Sequence, residues 1–265
     1  MVGQTDCGVF IGDNRFTDLD FANDAVIFAE ILTSLPQALE ALSKEAGPLG
    51  LEVSWVKTKI QEFERLLDDA QSISLEGQSV EFVSRFTYLG SDIHVRDGSG
   101  PEVVRRLGRA GAAMDALDKG VWRSRFLCKA TKLRVYRALV LPVLLYGCET
   151  WTLTKTLRNR LNAFGTRSLR RILGYRWSDL KRNDELLQET GSRSVTCIIR
   201  ERQLRLFGHV ARFPVSDPAY RILFSEIPSC WRRPRGRPRA NWLKQIDESL
   251  PKVKTNWALA CTLDC

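Results

Sequence analysis

A cluster of turn-forming residues, Asp97-Gly98-Ser99-Gly100-Pro101, divides the chain into two regions with different hydrophobic periodicity. Glycine and proline interrupt both helices and strands, so such a cluster predicts a linker. Upstream of it, short apolar runs alternate with turn residues, which is typical of strands and hairpins. Downstream of it, apolar residues recur at helical spacing. The sequence therefore predicts an α+β fold, with β-hairpins and a helix in the first part and a mainly α-helical second part.

Local patterns predict the individual elements. In the first part, an acidic turn separates two apolar runs, and Ser34 precedes leucines at helical spacing as an N-cap would. The first part is predicted to contain a hairpin at 18–29, a helix at 34–46, a strand at 51–56, a hairpin around 76–77 and a strand at 86–90. The second part is predicted to contain helices at 102–117, 130–145 (kinked at Pro142), 154–173, 179–189 and 195–207.

Charge is distributed unevenly between the two parts. Residues 1–100 hold 7 Lys and Arg against 17 Asp and Glu, a net charge of −10. Residues 101–265 hold 33 against 14, a net charge of +19. An acidic first half followed by a strongly basic second half indicates a region that binds a polyanion, although solvated basic helices would give the same composition.

Cysteine and histidine do not form a zinc motif. The seven cysteines are scattered without a Cys-x-x-Cys pair, and the histidines are His94 and His209. Free thiols in a reducing compartment are therefore expected. The first residues lack the basic and apolar regions of a secretory signal, and the longest apolar run, 138–146, is too short to span a membrane. We expect an intracellular protein, nuclear or cytoplasmic, without a membrane partner.

The predicted hairpin at 18–29 carries Phe21-Ala22-Asn23-Asp24 at its tip. Adjacent acidic residues at a hairpin tip can bind divalent cations, because Mg²⁺ prefers carboxylate oxygens. The segment resembles the Tyr/Phe-x-Asp-Asp box of reverse transcriptases, in the form found in non-LTR (LINE-type) retrotransposons. It differs at one position, since Asn23 replaces the first aspartate of the box.

Further segments resemble the same family in the same order along the chain. The first similarity is a pair of short segments, Gly-Leu-x-Val and Lys-Thr-Lys. A Tyr-Leu-Gly segment follows, which in the family lies near the primer grip, and then a Leu-Leu-Tyr-Gly-x-Glu-x-Trp element. These similarities lie at 50–53 and 57–59, 86–91, 144–151, 169–174 and 208–212.

The resemblance implies a domain organisation and a reaction. Residues 1–96 would be the C-terminal part of the polymerase palm, 102–213 a helical thumb and connection-like region, and 214–265 a basic tail. The family is an RNA-directed DNA polymerase, a nucleotidyltransferase that uses Mg²⁺ and binds RNA and DNA as template and primer. The fingers and the first catalytic aspartate of the family would precede the hairpin, so we expect a truncated, catalytically inactive chain unless a longer product supplies them.

The family's catalytic positions map onto few residues here. Asn23 and Asp24 occupy the box, with Asp24 as the expected metal ligand, and Lys57 or Lys59 corresponds to a lysine that would assist pyrophosphate departure. Tyr88 would contact the primer strand. Each has a structural alternative: a decayed hairpin, a solvated lysine and a core tyrosine.

Arginines of the basic half are the remaining candidates for nucleic-acid contact. Arg105, Arg106 and Arg109 lie on a predicted thumb helix and could follow phosphates. Arg235 and Arg237 belong to Pro-Arg-Gly-Arg-Pro, which resembles an AT-hook core for the DNA minor groove. The alternative function is therefore a non-catalytic nucleic-acid-binding protein that acts through its basic C-terminal half.

Overall fold

The computed structural model describes residues 7–12, 14–63, 72–75, 77–225 and 240–249. The chain divides into two compact units. The hairpin unit comprises Met1–Phe86 and Val210–Gly236, and the helical unit comprises Thr87–His209 and Arg237–Cys265. The predicted α+β fold class is confirmed.

The hairpin unit is built from short strands and two helices. Its strands form a β1–β2 hairpin, a β3–β4 hairpin, and a small sheet in which β7 pairs parallel with β5 and antiparallel with β6. The elements are β1 (Val9–Ile11), β2 (Asn14–Phe16), β3 (Asp18–Phe21), β4 (Asp24–Ile27), α1 (Leu35–Ala46), β5 (Lys59–Ile60), β6 (Ser72–Leu75), β7 (Gln78–Phe82) and α8 (Pro218–Phe224).

The hairpins around 22–23 and 76–77 and the helix at 34–46 are confirmed, whereas the strand at 51–56 is wrong. The chain turns there instead, with the backbone N–H groups of Lys57 and Thr58 both donating to the carbonyl of Ser54. Leu51 and Val56 are exposed by 59% and 84%. The alternation is present in the sequence, but none of the strands in the described ranges pairs with this segment to give it a buried face.

Apolar packing in the hairpin unit joins α1 to the small sheet. Leu39 of α1 packs with Ile60, Val80 and Phe82, which are all buried. The guanidinium of Arg221 on α8 lies 5.5 Å from the centre of the Phe16 ring and donates to Asn14 Oδ1 at 2.6 Å. A short helix far along the chain is thereby fixed to β2.

The helical unit begins with a hairpin and continues as helices. Its elements are β8 (Arg85–Tyr88), β9 (Ser91–His94), α2 (Gly100–Ala116), α3 (Lys129–Val135), α4 (Leu141–Leu144), α5 (Lys155–Leu173), α6 (Asn183–Thr190), α7 (Val195–Ala211) and α9 (Trp242–Asp247). The predicted helices are confirmed, but the fourth starts later, at Asn183. Leu180 has a φ of 46°, a left-handed conformation that an α-helix does not tolerate.

Pro142 interrupts the second predicted helix as expected. A π-helical turn (Tyr136–Val140) separates α3 from α4, and Pro142 lies in the first turn of α4. Proline has no N–H to donate and its ring clashes with the preceding turn, so the helix widens before it and restarts.

The core of the helical unit is a continuous apolar cluster. Its fully buried members include Val103 of α2, Val140, Leu161 of α5 and Ile199 of α7. α9, which the sequence pattern did not predict, is attached to this unit by side chains: Gln245 accepts from the N–H of Leu153 at 3.1 Å and donates to its carbonyl at 2.9 Å. The basic C-terminal region thus contributes an element to this unit.

The boundary between the units falls within β8, and the predicted linker at 97–101 leads directly into α2 inside the helical unit. The assignment of 1–96, 102–213 and 214–265 to palm, thumb and tail stays a prediction. No helix in the described part of the chain is long and apolar enough to cross a membrane.

Candidate nucleic-acid interface

The tip of the β3–β4 hairpin is a two-residue turn. Phe21 pairs with Asp24 across the turn, Ala22 has a φ of 54°, and all four residues from Phe21 to Asp24 are exposed. A φ above zero at the first turn position is typical of the tight hairpin turns that match strand twist. The geometry presents the Asn23 amide and the Asp24 carboxylate to solvent.

The other carboxylates of this hairpin do not converge on the tip. Asp18 pairs with Ile27 and Asp20 with Ala25, so both lie on the face opposite to Asp24, which shares a face with Phe21. Among the described residues, no group of three or more His, Cys, Asp or Glu could hold a metal ion. One carboxylate and one amide do not fit a two-metal centre, which needs several oxygen ligands. Mg²⁺ binding at Asp24 stays a prediction.

The two neighbouring lysines differ in their environments. Lys57 is exposed within the turn that replaces the predicted strand. Lys59 pairs with Glu81 on the adjacent strand β7, with Nζ 2.8 Å from Oε2. The hydrogen bond from Lys59, reinforced by its charge, lowers the pKa of the Glu81 carboxyl. A catalytic role for Lys57 stays a prediction.

The Tyr-Leu-Gly segment forms the turn between β8 and β9. Leu89 and Gly90 both have positive φ, 46° and 77°, as a tight turn requires, and Tyr88 is partly buried on β8. The carbonyl of Gly90 accepts from Arg105 Nη2 at 2.7 Å and from Arg106 Nη2 at 2.5 Å. The turn is therefore held against α2 by two arginines.

Arg105 and Arg106 form ion pairs inside the helical unit. Arg106 is 5% exposed, and its Nε donates to Glu102 Oε1 at 2.7 Å. Arg105 pairs with Glu102 at 2.6 Å and with Asp92 at 3.2 Å, and both carboxylates are buried. Their guanidinium groups are occupied by these carboxylates, and a contact of either arginine with phosphates stays a prediction. Arg109, one turn further along α2, is exposed.

The same cluster includes the Leu-Leu-Tyr-Gly segment. Tyr146 donates to the carbonyl of Leu89 at 2.8 Å, and the Arg106 guanidinium lies 4.4 Å from the centre of its ring. At Gly147, which has a φ of 69°, an added Cβ would lie 2.7 Å from Ser91 Oγ. The Tyr-Leu-Gly and Leu-Leu-Tyr-Gly segments, which are far apart in the sequence, therefore contact each other in the fold, and Arg106 contacts both.

The face of α5 was not singled out from the sequence. The helix carries six basic residues and no acidic residue: Lys155, Arg158, Arg160, Arg167, Arg170 and Arg171. Arg171 is neutralised by Asp115 at 2.6 Å and Asp118 at 2.9 Å, and its hydrogen bond lowers the pKa of Asp118. A count of charges on the helix predicted at 154–173 would have identified this basic face from the sequence. Arg235 and Arg237 lie outside the described residues.

Comparison with known proteins gives one informative similarity. A protein of Caenorhabditis elegans, named as an uncharacterized transposon-derived protein, is 28% identical over 249 residues, which cover 91% of this chain and 87% of that protein. No family model and no solved structure matches the chain. An alignment of this length includes residues of both compact units. The similarity supports a transposon-related origin for this chain.

Proposed function

We propose that this transposon-related protein is a relative of non-LTR retrotransposon reverse transcriptases that acts by binding nucleic acid through its helical unit. The ordered family-like segments and the transposon-derived relative support the ancestry. One observation carries the proposed binding function: three exposed basic residues of α5, Arg158, Arg160 and Arg167, have no carboxylate partner among the described residues.

Uncompensated charge distinguishes α5 from α2. Arg158, Arg160 and Arg167 are exposed, and within the described ranges no carboxylate lies at ion-pair distance from any of them. Guanidinium groups that are already neutralised contribute little long-range field, whereas free ones attract phosphates and release counterions on binding. The exposed cations of α5 therefore form a candidate polyanion-binding surface of the helical unit.

Binding of single-stranded DNA by the full chain should weaken linearly on a plot of log affinity against log salt. Each phosphate neutralised contributes about 0.7 to the slope, so contacts with roughly three to five phosphates give a slope of about −2 to −3.5. Fluorescence anisotropy with a labelled oligothymidylate over a salt series measures it. A wild-type protein that leaves the probe unbound at low salt contradicts the proposed function.

Paired charge reversals locate the surface. The double variant Arg158→Glu and Arg160→Glu should weaken binding roughly fourfold, about twofold for each position, since it removes two exposed cations of α5 and adds two repelling charges. The matched control is Lys44→Glu with Lys57→Glu, which changes net charge equally at two exposed sites of the hairpin unit. Equal losses in the two double variants would show an effect of net charge alone.

Polymerase activity is the second candidate, favoured by the resemblance of Phe21-Ala22-Asn23-Asp24 to the catalytic box. We expect no incorporation of deoxynucleotides by the purified chain in a primer-extension assay with Mg²⁺. The hairpin offers a single carboxylate at its tip, and Asn23 brings no negative charge to a metal.

The variant Asn23→Asp restores the family's box and serves as the control. It should remain inactive, because Asp18 and Asp20 lie on the opposite face and supply no further ligand. Extension by the wild type or by the variant would overturn the inactive assignment.

A further inference from the structure

A groove of about 940 Å³ runs along α5 inside the helical unit. α5 forms one wall, and the π-helical turn, both ends of α6 and the start of α7 form the rest. Gly165 of α5 allows the close approach of α7, because an added Cβ would lie 2.7 Å from Val195 Cγ2. Volumes of a few hundred to about 1,000 Å³ are usual for ligand sites.

Arg137 lies at one end of the groove and is positioned by neutral groups. Its Nη2 donates to the carbonyl of Thr190 at 2.8 Å, and it lies within 3.4 Å of the Gly191 carbonyl and the Ser192 hydroxyl. A carbonyl fixes a guanidinium without cancelling its charge. A guanidinium has five N–H donors. Within the described ranges the hydrogen bonds of Arg137 all come from Nη2, so the side chain keeps donors for a ligand.

Arg170 repeats this arrangement on α5. Arg170 Nη2 donates to the carbonyl of Lys181 and to Asn183 Oδ1, both at 2.9 Å, so α6 is attached at its beginning as well as at its end. Arg167 is exposed and has no ion-pair partner among the described residues. Two cations of the groove, Arg137 and Arg170, are thus positioned by neutral groups, and Arg167 adds a third cation to the lining.

Two further charged residues line the groove and change its net charge little. Arg193 is paired with Glu201 at 2.5 Å, and Asp184 is an exposed carboxylate with Arg182 4.0 Å away. Burial raises the pKa of Tyr136, in the groove wall, to about 12, so this phenol stays neutral. The lining therefore retains an excess of positive charge.

We infer that this groove binds the phosphate groups of a single nucleic-acid strand, independently of base sequence. Guanidinium groups with several free donors are well suited to phosphate oxygens. The exposed amide of Asn159 adds a neutral hydrogen-bonding group on the α5 wall. The inference rests on the proposed function and gives it a substrate class and a location.

The groove's size and lining favour a single strand over a duplex. A duplex holds its two backbones rigidly about grooves of roughly 6 and 12 Å, so it rests on a surface rather than entering a groove of this volume. A flexible strand can place successive phosphates along α5. The aromatic residue in the lining, Tyr136, is 3% exposed, so it offers no ring face on which a base could stack.

The test compares Arg167→Glu with Arg160→Glu in the full chain. Both residues are exposed on α5 and the charge change is the same, but only Arg167 lines the groove. Anisotropy over a salt series uses a labelled oligothymidylate of about twelve nucleotides and a duplex of equal length. Arg167→Glu should weaken single-strand binding roughly tenfold and reduce the salt slope by about 0.7, whereas Arg160→Glu should cost about twofold with little change in slope. On the duplex the two variants should be equal.

A third variant should change affinity in the opposite direction. Asp184→Asn removes the one carboxylate of the lining and should tighten single-strand binding about twofold, a gain that loss of folding cannot produce. Equal effects of Arg167→Glu and Arg160→Glu on the single strand, or a groove-specific loss on the duplex instead, would overturn the inference and leave the proposed function standing. A wild-type chain that binds neither probe would contradict both the inference about the groove and the proposed function.

Discussion

Replacing Arg106 with alanine should lower the free energy of unfolding of the helical unit by about 3 kcal/mol, because it breaks a buried ion pair from one side. Glu102 would lose the donor at 2.7 Å, the Gly90 carbonyl one of its two donors, and Tyr146 the cation over its ring. Arg105 would still face Glu102, so the loss should lie at the lower end of the range for broken buried pairs. Urea unfolding followed by circular dichroism measures it.

Arg109→Ala is the matched control for this substitution. It removes the same side chain from the same helix at an exposed position, so its effect should stay within about 0.5 kcal/mol. The comparison distinguishes a buried arginine that stabilises the fold from an exposed arginine that does not, a distinction that the sequence of the helix does not show. Equal unfolding midpoints for Arg106→Ala and Arg109→Ala would contradict the buried network.

Gly165→Ala should destabilise the helical unit by about 2 kcal/mol. Alanine is the better helix former by about 1 kcal/mol, but here its Cβ would lie 2.7 Å from Val195 Cγ2, well inside contact distance. Val195 is buried and β-branched, so its side chain has little freedom to rotate away and α5 and α7 must separate. Thermal unfolding should show a lower melting temperature.

The control for Gly165 is Gly108→Ala on α2. Nothing lies within 4 Å of a Cβ added there, so the helix-propensity gain should be expressed and the melting temperature should rise. The same substitution, glycine to alanine, is thus expected to lower the melting temperature at position 165 and to raise it at position 108. A rise in both proteins would mean that α5 and α7 are not in close contact.

The elements that sequence reasoning predicted correctly are those fixed by neighbouring residues. The turn at 22–23, the helix that follows Ser34 and the interruption at Pro142 all depend on local backbone preferences, which a short window of sequence contains. The strand predicted at 51–56 failed because alternation alone does not provide a partner strand. Local pattern therefore predicted most of the fold but not which strands find partners.

The candidate site was harder to predict because its contacts join distant parts of the chain. The sequence does space Glu102 three and four residues before Arg105 and Arg106, which allows ion pairs on one helix face. This spacing could have indicated a structural role for the two arginines. In contrast, the Arg137 contact with Gly191 spans 54 residues, and nothing in the local sequence of either residue indicates it. Burial decides whether an arginine meets a carboxylate or a phosphate, and burial is a property of the assembled fold.

The hydrogen bond from Tyr146 to Leu89 has a consequence for synthesis of the chain on the ribosome. The two residues are 57 positions apart, so the β8–β9 turn emerges well before the tyrosine that holds it. At about 5–20 residues per second, the turn waits roughly 3–11 seconds for its partner. During that interval the Gly90 carbonyl can already accept from Arg105 and Arg106 of α2, so we expect early formation of α2 to protect the hairpin in the nascent chain.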